Sequence, residues 1–151
     1  QSFLKGLPVK YCTDNKYIRS HLAGLETAAM LHPIDSIVKI QKVHEAMGQD
    51  VLERGDSGVL RPFDHYARNS GFEFSKPQNI LNDLSAMLQN NQLESPFEKH
   101  MMYECIHPFS DGNGRSGRII LAADLLFDFE RLNNFIGKDY IYKIVDYQSR
   151  Y

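Results

Sequence analysis

The sequence predicts a mainly α-helical domain that is built around one buried helix and carries one small β-hairpin. Apolar residues recur at spacings of three and four over residues 34–47 and again over 77–90, which is the period of an amphipathic helix. The segment 114–129 is apolar nearly all round, as expected of a helix that is packed on every side. Turn residues at 69–71 separate two short β-rich stretches, which favours a hairpin.

The first two helices are predicted at residues 17–31 and 34–47. The second has the clearer pattern, because its apolar side chains share one face: Ile34, Ile37, Ile40, Val43 and Met47. The polar, glycine-containing stretch 49–58 ends this helical region. The hairpin is then predicted from strands at 59–66 and 72–74, and Pro62 confines the first of them to a sheet edge.

The remaining helices have clear end signals. In the helix at 77–90 the apolar residues share one face: Ile80, Leu84, Met87 and Leu88. Ser95 followed by Pro96 is an N-cap with proline at the first helical position, which predicts a helix to about residue 106. Pro108 stops that helix. The buried helix 114–129 follows, and a last helix is expected at about 138–149.

Composition limits the possible classes of function. Hydrophobic residues make up 42% and charged residues 24% of 151 residues, with a formal net charge of −2, as in an ordinary globular domain. No basic field recruits nucleic acid, and no apolar run is long enough to span a bilayer. We therefore expect neither a nucleic-acid nor a membrane partner. Two cysteines, Cys12 and Cys105, make neither a disulfide framework nor a zinc site.

Residues 107–118, His-Pro-Phe-Ser-Asp-Gly-Asn-Gly-Arg-Ser-Gly-Arg, form the most informative segment. Gly112 and Gly114 permit positive φ and a close approach of the backbone to a ligand, and Asn113 tolerates similar geometry. Successive N–H groups in such a turn bind anions, and the N-terminus of the following helix adds its positive dipole end. The loop is therefore predicted to hold phosphate groups.

The charged residues of this segment agree with a phosphate site. Arg115 and Arg118 lie in the first turns of a helix, where the dipole disfavours cations unless an anion is bound between them. A carboxylate so close, Asp111, is best explained as a Mg²⁺ ligand that bridges to phosphate. His107 has the ordinary pKa of a general base near neutrality. Outside such a motif His107 would more often be structural, Asp111 an Asx-turn residue and Arg118 a surface ion-pairing residue.

The segment matches the signature of the Fic (filamentation induced by cAMP) family, H-P-F-x-[DE]-G-N-G-R-x-x-R, at every specified position. The resemblance covers about residues 34–147 and makes 1–33 an N-terminal helical extension of a single domain, 1–151. It implies a helical fold whose hairpin flap lies over the active site. Most members of the family transfer AMP from ATP to a Ser, Thr or Tyr hydroxyl of a protein and release pyrophosphate.

The resemblance also implies a role for each motif residue. His107 would be the general base, and Asp111 would hold Mg²⁺. An anion hole for the α- and β-phosphates would come from Gly112, Asn113 and Gly114. Arg115 would contact the β-phosphate and Arg118 the γ-phosphate of ATP. The target protein would dock on the flap by strand-like pairing, with Leu60 and Arg61 as candidates from position alone.

Two alternatives to AMP transfer remain open. The same site could transfer UMP, phosphocholine or phosphate, although Gly114 favours AMP transfer because the family's kinase branch carries Lys there. A non-catalytic Fic-fold binding module is the other alternative, and the intact motif argues against it. The resemblance implies a bacterial cytoplasmic protein, or one that is secreted into a host cytosol if it is an effector.

The family's inhibitory motif, [ST]-x-x-x-E-[GN], does not occur here. None of the eight glutamates is followed by Gly or Asn, and none has Ser or Thr four residues earlier. We therefore expect that inhibition comes from a separate, antitoxin-like protein, lies outside this chain, or is absent.

Overall fold

The computed structural model describes residues 7, 15–68, 70–90 and 95–151. Cys12 and most of the predicted N-terminal extension before residue 15 lie outside these residues. Seven α-helices form within the described part of the chain: α1 Asn15–Leu31, α2 Ile37–Gly48, α3 Ile80–Gln89, α4 Pro96–Ile106, α5 Asn113–Asp124, α6 Phe129–Phe135 and α7 Tyr140–Arg150. A 3₁₀ turn, Pro77–Asn79, leads into α3. The mainly helical class is confirmed.

Helix α5 is the centre of the fold, as the sequence predicts. Nine of its twelve residues are buried, and it packs against α1, α2 and α4. The approach of α1 is close, since a Cβ added at Gly24 would lie 2.7 Å from Ile119 Cδ1. The N-terminal end of this central helix carries the two arginines of the motif, Arg115 buried and Arg118 half-buried.

Helices α2 and α4 begin where serine caps them. Ser36 Oγ accepts a hydrogen bond from the Lys39 N–H at 3.2 Å, so α2 starts at Ile37 and not at residue 34. Ser95 Oγ accepts from the Glu98 N–H at 3.3 Å, which confirms the predicted cap of α4. A capping oxygen replaces the intrahelical partner that the first N–H groups lack.

The predicted helix 114–129 is too long at its C-terminal end. Helix α5 ends at Asp124, and Leu126 and Phe127 both have positive φ, 54° and 60°. This left-handed turn redirects the chain, and Asp128 then caps α6 by accepting a hydrogen bond from the Arg131 N–H at 3.2 Å. The apolar pattern runs through this turn because Leu125 and Phe127 still pack on the core.

The predicted β-hairpin is not confirmed. In the described residues no β-strand forms, and two isolated antiparallel bridges take its place, Leu60 with Phe109 and Tyr66 with Glu73. The predicted strand 59–66 is thus divided between two partners. Its first part pairs with the loop before α5, where the Arg61 N–H donates to Pro108 O at 2.8 Å. Its last residues face 72–74 across the predicted turn.

None of the described helices is both long enough and apolar enough to cross a membrane.

Candidate functional site

The site is built on the loop that joins α4 to α5. His107 ends α4 in a left-handed conformation, with φ 51° and ψ 62°, and its N–H donates to Tyr103 O at 2.9 Å. A non-glycine residue in this region of φ/ψ space is uncommon and is often found at functional sites. This conformation directs the His107 side chain away from the helix and into a cavity.

Aromatic contacts orient the ring of His107. It stacks on Phe74, with ring centroids 3.9 Å apart and an interplanar angle of 6°, and His65 meets it edge-on at 4.8 Å. The main chain is also held, because Arg61 Nε donates to His107 O at 3.0 Å. The segment 61–74 thereby fixes the position of the candidate base.

The environment of His107 keeps its imidazole neutral. Burial, followed by the positive fields of His65 and Arg61, lowers the pKa of His107 to about 3. At neutral pH the ring therefore has one unprotonated nitrogen that can accept a proton, as a general base must.

Asn113 and His44 hold the loop in shape from the inside. The Asn113 side chain bonds twice to one backbone residue, accepting from the Phe109 N–H at 2.8 Å and donating to Phe109 O at 2.7 Å. His44 Nδ1 accepts from the Gly58 N–H, so His44 Nε2 carries the proton and donates to Asp111 O at 2.8 Å. The amide side chain of Asn113 is thus committed to the loop, and only its backbone faces the N-terminal end of α5.

An added Cβ at either of two glycines of the loop would contact neighbouring side chains. Gly112 has φ 75°, and a Cβ there would lie 2.9 Å from Met47 Cε and 3.3 Å from His44 Nε2. At Gly114 a Cβ would lie 2.8 Å from Arg118 Nη1. The absence of a side chain at Gly114 therefore lets the Arg118 guanidinium lie against the first turn of α5.

The carboxylate of Asp111 lies among groups that bind anions. Its Oδ1 accepts from the Gly112 N–H at 2.7 Å and is 3.8 Å from Arg115 Nη2. Arg115 is buried beside α1, with its guanidinium 5.7 Å from the Tyr17 ring, whereas the Asp111 side chain is 71% exposed. The guanidinium of Arg115 is therefore held in place, whereas the exposed carboxylate of Asp111 can rotate toward solvent. That rotation would free the Gly112 N–H to bind a ligand.

One cavity of about 590 Å³ joins these residues. All seven predicted motif residues line it: His107, Asp111, Gly112, Asn113, Gly114, Arg115 and Arg118. Its charged lining comprises three arginines and one aspartate, because Arg68 also contributes. This excess of positive charge suits a polyphosphate.

Two further residues, His65 and Arg68, line the same cavity and were not predicted from the sequence. No motif marks them. Their position just before the turn residues 69–71 is the one available signal, because a turn over the motif loop brings the preceding residues close to it.

The two docking candidates, Leu60 and Arg61, do not lie at this cavity. Arg61 is 2% exposed, and within the described residues its guanidinium donates to backbone carbonyls, those of Ile106, His107, Phe63 and Ser75. Leu60 is paired with Phe109. The buried guanidinium of Arg61 is engaged with the backbone and supports the loop, and docking of a target at Leu60 and Arg61 stays a prediction.

A second, smaller cavity of about 180 Å³ adjoins the first. His107 and Arg68 line both cavities. The walls of the smaller cavity are mostly apolar and include Phe74 and three aliphatic side chains of α7, Ile141, Ile144 and Val145. Two buried polar side chains, Glu104 and Gln148, also line it. A charged cavity that opens into an apolar one has the chemistry required by a nucleotide.

The residues at the loop fit a magnesium ion that is held mainly by phosphate. In the described residues no group of three or more histidine, cysteine or acidic side chains forms a metal cage. Mg²⁺ commonly uses one or two carboxylates together with substrate phosphates and water. Asp111, exposed beside the anion-binding backbone, provides such a carboxylate.

Comparison with known proteins identifies the same family along much of the chain. A model described as the Fic/DOC family matches residues 34–130. A protein of Aquifex aeolicus (strain VF5) named as a probable protein adenylyltransferase is 38% identical over 65 residues, which cover 37% of this chain and 20% of that protein. The match thus spans about a fifth of its length.

Two solved structures have a similar fold. A Fic family protein from Desulfovibrio desulfuricans G20 superposes with a TM-score of 0.64 at 20% identity, over 88% of this chain and 43% of that one. Fic-1 (residues 134–508) from C. elegans superposes with a TM-score of 0.57 at 18% identity, over 94% and 48%. This chain therefore spans less than half of either structure.

Proposed function

This chain belongs to the Fic/DOC family, and from that premise we propose that it is a protein adenylyltransferase. It would transfer AMP from ATP to a Ser, Thr or Tyr hydroxyl of a target protein. The observation that carries the proposal is the convergence of a neutral histidine, an exposed carboxylate and three arginines on one cavity at the N-terminus of α5.

In the proposed reaction the target's hydroxyl oxygen attacks the α-phosphorus and forms a new P–O bond. The bond between the α-phosphorus and the oxygen that bridges to the β-phosphate breaks, and pyrophosphate leaves with that electron pair. The hydroxyl proton passes to the unprotonated ring nitrogen of His107. The negative charge of bound phosphates raises the pKa of a nearby histidine, so substrate binding would make His107 a stronger base.

Stabilisation of the transferring phosphate would come from fixed groups. Buried Arg115 and the backbone of the Gly112–Gly114 turn would contact the α- and β-phosphates, and Arg118 would contact the γ-phosphate. Asp111 would hold Mg²⁺, which neutralises phosphate charge when bound. These groups need little reorganisation, because α5 and the hydrogen bonds of Asn113 already fix the loop.

Two features support AMP transfer over phosphate transfer. The apolar cavity beside His107 has room for a base next to the phosphate cavity, and a nucleotide bound in this way would have its α-phosphate nearer to His107 than its γ-phosphate. At Gly114, where the kinase branch of the family carries a lysine, the space for a side chain is filled by the Arg118 guanidinium.

The test is the position of the label that reaches protein. The purified chain is incubated with Mg²⁺, a cell lysate and ATP labelled at either the α- or the γ-phosphate. We expect labelling from the α position, its loss by at least about 100-fold in His107→Ala, and no loss in the matched control His32→Ala at an exposed position. Labelling from the γ position alone would refute AMP transfer and support a kinase, and preferred labelling from α-labelled UTP would refute ATP as the donor.

A further inference from the structure

The smaller cavity contains a carboxyl group that has no part in the proposed reaction. Glu104 lies on α4, three residues before His107, and is 8% exposed. Within the described part of the chain, its Oε1 atom has no hydrogen-bond partner. A buried acceptor atom without a hydrogen bond is costly, and such atoms call for an explanation.

The neighbours of Glu104 on the adjoining helices do not satisfy it. A Cβ added at Gly117 would lie 2.6 Å from Glu104 Oε1, so α5 approaches the carboxyl with bare backbone. His100 Nε2 is 3.7 Å from Oε1 but has no proton to give. Its Nδ1 donates to Gly117 O, so its Nε2 accepts from the hydroxyl of Tyr140 at 2.6 Å.

The same carboxyl lines a cavity whose other walls are mostly apolar. Phe74 and three aliphatic side chains of α7 form those walls, and the volume, about 180 Å³, is that of a planar base or a single large side chain. Ligand sites of this kind use a few polar groups in an apolar pocket to choose among ligands of similar shape.

Building on the function proposed above, we propose that Glu104 reads the base of the nucleotide by accepting a hydrogen bond from the exocyclic amine of adenine. The charged cavity would hold the phosphates, and the base would lie against Phe74 with its amine toward the carboxyl. Glu104 is therefore a specificity-determining residue for the donor, and it takes no part in proton transfer.

The protonation of Glu104 suits adenine. Burial raises the pKa of Glu104 to about 7, an effect that the positive charge of Arg118 opposes. Near neutral pH part of the population is therefore the neutral acid, which offers one acceptor and one donor on adjacent atoms. Adenine presents the complementary pair, an amine N–H beside a ring nitrogen.

A different role for Glu104 would leave a different signature. If the carboxyl served only as a countercharge for Arg118, its removal would change the affinity for every triphosphate by the same factor. If it reads the base, removal changes the ratio of affinities for nucleotides that differ only in the base. The ratio is therefore the quantity to measure.

The experiment compares ATP with purine riboside 5′-triphosphate, which lacks the exocyclic amine. Affinities are measured by calorimetry with Mg²⁺ for wild type, Glu104→Gln and Glu104→Leu. We expect wild type to prefer ATP by about tenfold, the value of one well-made hydrogen bond. Gln keeps an acceptor and should retain the preference, whereas Leu should bring the ratio close to one. An unchanged ratio in Glu104→Leu would overturn the proposal.

The outcomes separate this inference from the proposed function. Glu104 Oε1 is buried without a hydrogen-bond partner in the described structure, and an apolar residue of similar size removes the cost of burying that atom, so Glu104→Leu should unfold at no lower temperature than wild type. If wild type binds both triphosphates equally and still transfers AMP, the inference fails and the function stands. If wild type binds neither, the proposed function itself fails.

Discussion

At the scale of single residues, the candidate base is held by packing and by main-chain contacts. The described ring contacts of His107 are aromatic, with Phe74 and His65, and its carbonyl is held by Arg61. The base is thereby oriented by a segment that lies more than 30 residues earlier in the chain. The loop itself depends on Gly112, where a side chain would be strained by the positive φ and would crowd Met47 and His44.

Gly112→Ala should therefore destabilise the protein more than its backbone conformation alone requires. Gly71 is the matched control, since its φ of 70° is close to the 75° of Gly112 but its Cβ position is open. We expect Gly71→Ala to cost about 1 kcal/mol and Gly112→Ala to cost about 2–4 kcal/mol, because the added Cβ would also crowd the His44 ring, which two hydrogen bonds hold in place. Urea unfolding measures both, and equal losses would show that the contacts of Gly112 do not matter.

At the scale of elements, the end of α5 departs from its helical pattern. Helical periodicity continues to residue 129, but Leu126 and Phe127 take positive φ. Phe127 packs on the core, whereas Leu126 is 74% exposed. The turn thus holds Leu126 in a conformation that suits glycine. The burial of its neighbours Leu125 and Phe127 offsets the cost of this conformation.

Leu126→Gly should stabilise the protein, which is unusual for the loss of a large apolar residue. A left-handed conformation costs an L-residue about 1–2 kcal/mol, and the greater freedom of glycine in the unfolded chain offsets up to about 1 kcal/mol of that. We expect a gain of about 0.5–1 kcal/mol in the free energy of unfolding. Leu81→Gly, at a residue of α3 that is also exposed, is the control and should lose about 1 kcal/mol. A loss at both positions would contradict the prediction.

At the scale of the whole molecule, buried neutral histidines join the helices. His44 links α2 to Gly58 and to Asp111, and His100 links α4 to α5 and α7. Burial is the main cause in each case, and it lowers the pKa of His44 to about 4 and those of His100 and His107 to about 3. Between these pKa values and the ordinary histidine pKa of 6.5, the three histidines are protonated in the unfolded chain but not in the folded chain.

Stability should therefore fall as the pH drops below 6.5. Each of the three histidines contributes up to about 1.4 kcal/mol per pH unit. Glu104 opposes them, because its raised pKa, about 7, lets the folded state bind one extra proton above its unfolded pKa. The net slope is then up to about 2.7 kcal/mol per pH unit. Urea unfolding between pH 7 and 5 measures it, and a stability that is flat or rises on acidification would contradict the prediction.

The variant Glu104→Gln tests whether Glu104 opposes the effect of the histidines on the pH dependence of stability. The variant removes the opposing term, so its stability should fall with acidification more steeply than that of wild type, by up to about 1.4 kcal/mol per pH unit. An unchanged slope would mean that Glu104 is ionised in the folded protein.

The helical class, the central helix and the placement of the motif loop could all be predicted from the amino-acid sequence, because each follows from local signals. Apolar period, serine caps and Pro108 act over a few residues, and residues 107–118 form one continuous stretch. Tertiary packing brings the other residues to that stretch: His65 and Arg68 at the cavity, Arg61 beneath the loop, and Glu104 at the wall of the apolar cavity. These depend on how residues 58–74 and α7 fold back on the motif, and no period or cap in a single sequence encodes which distant side chains will meet.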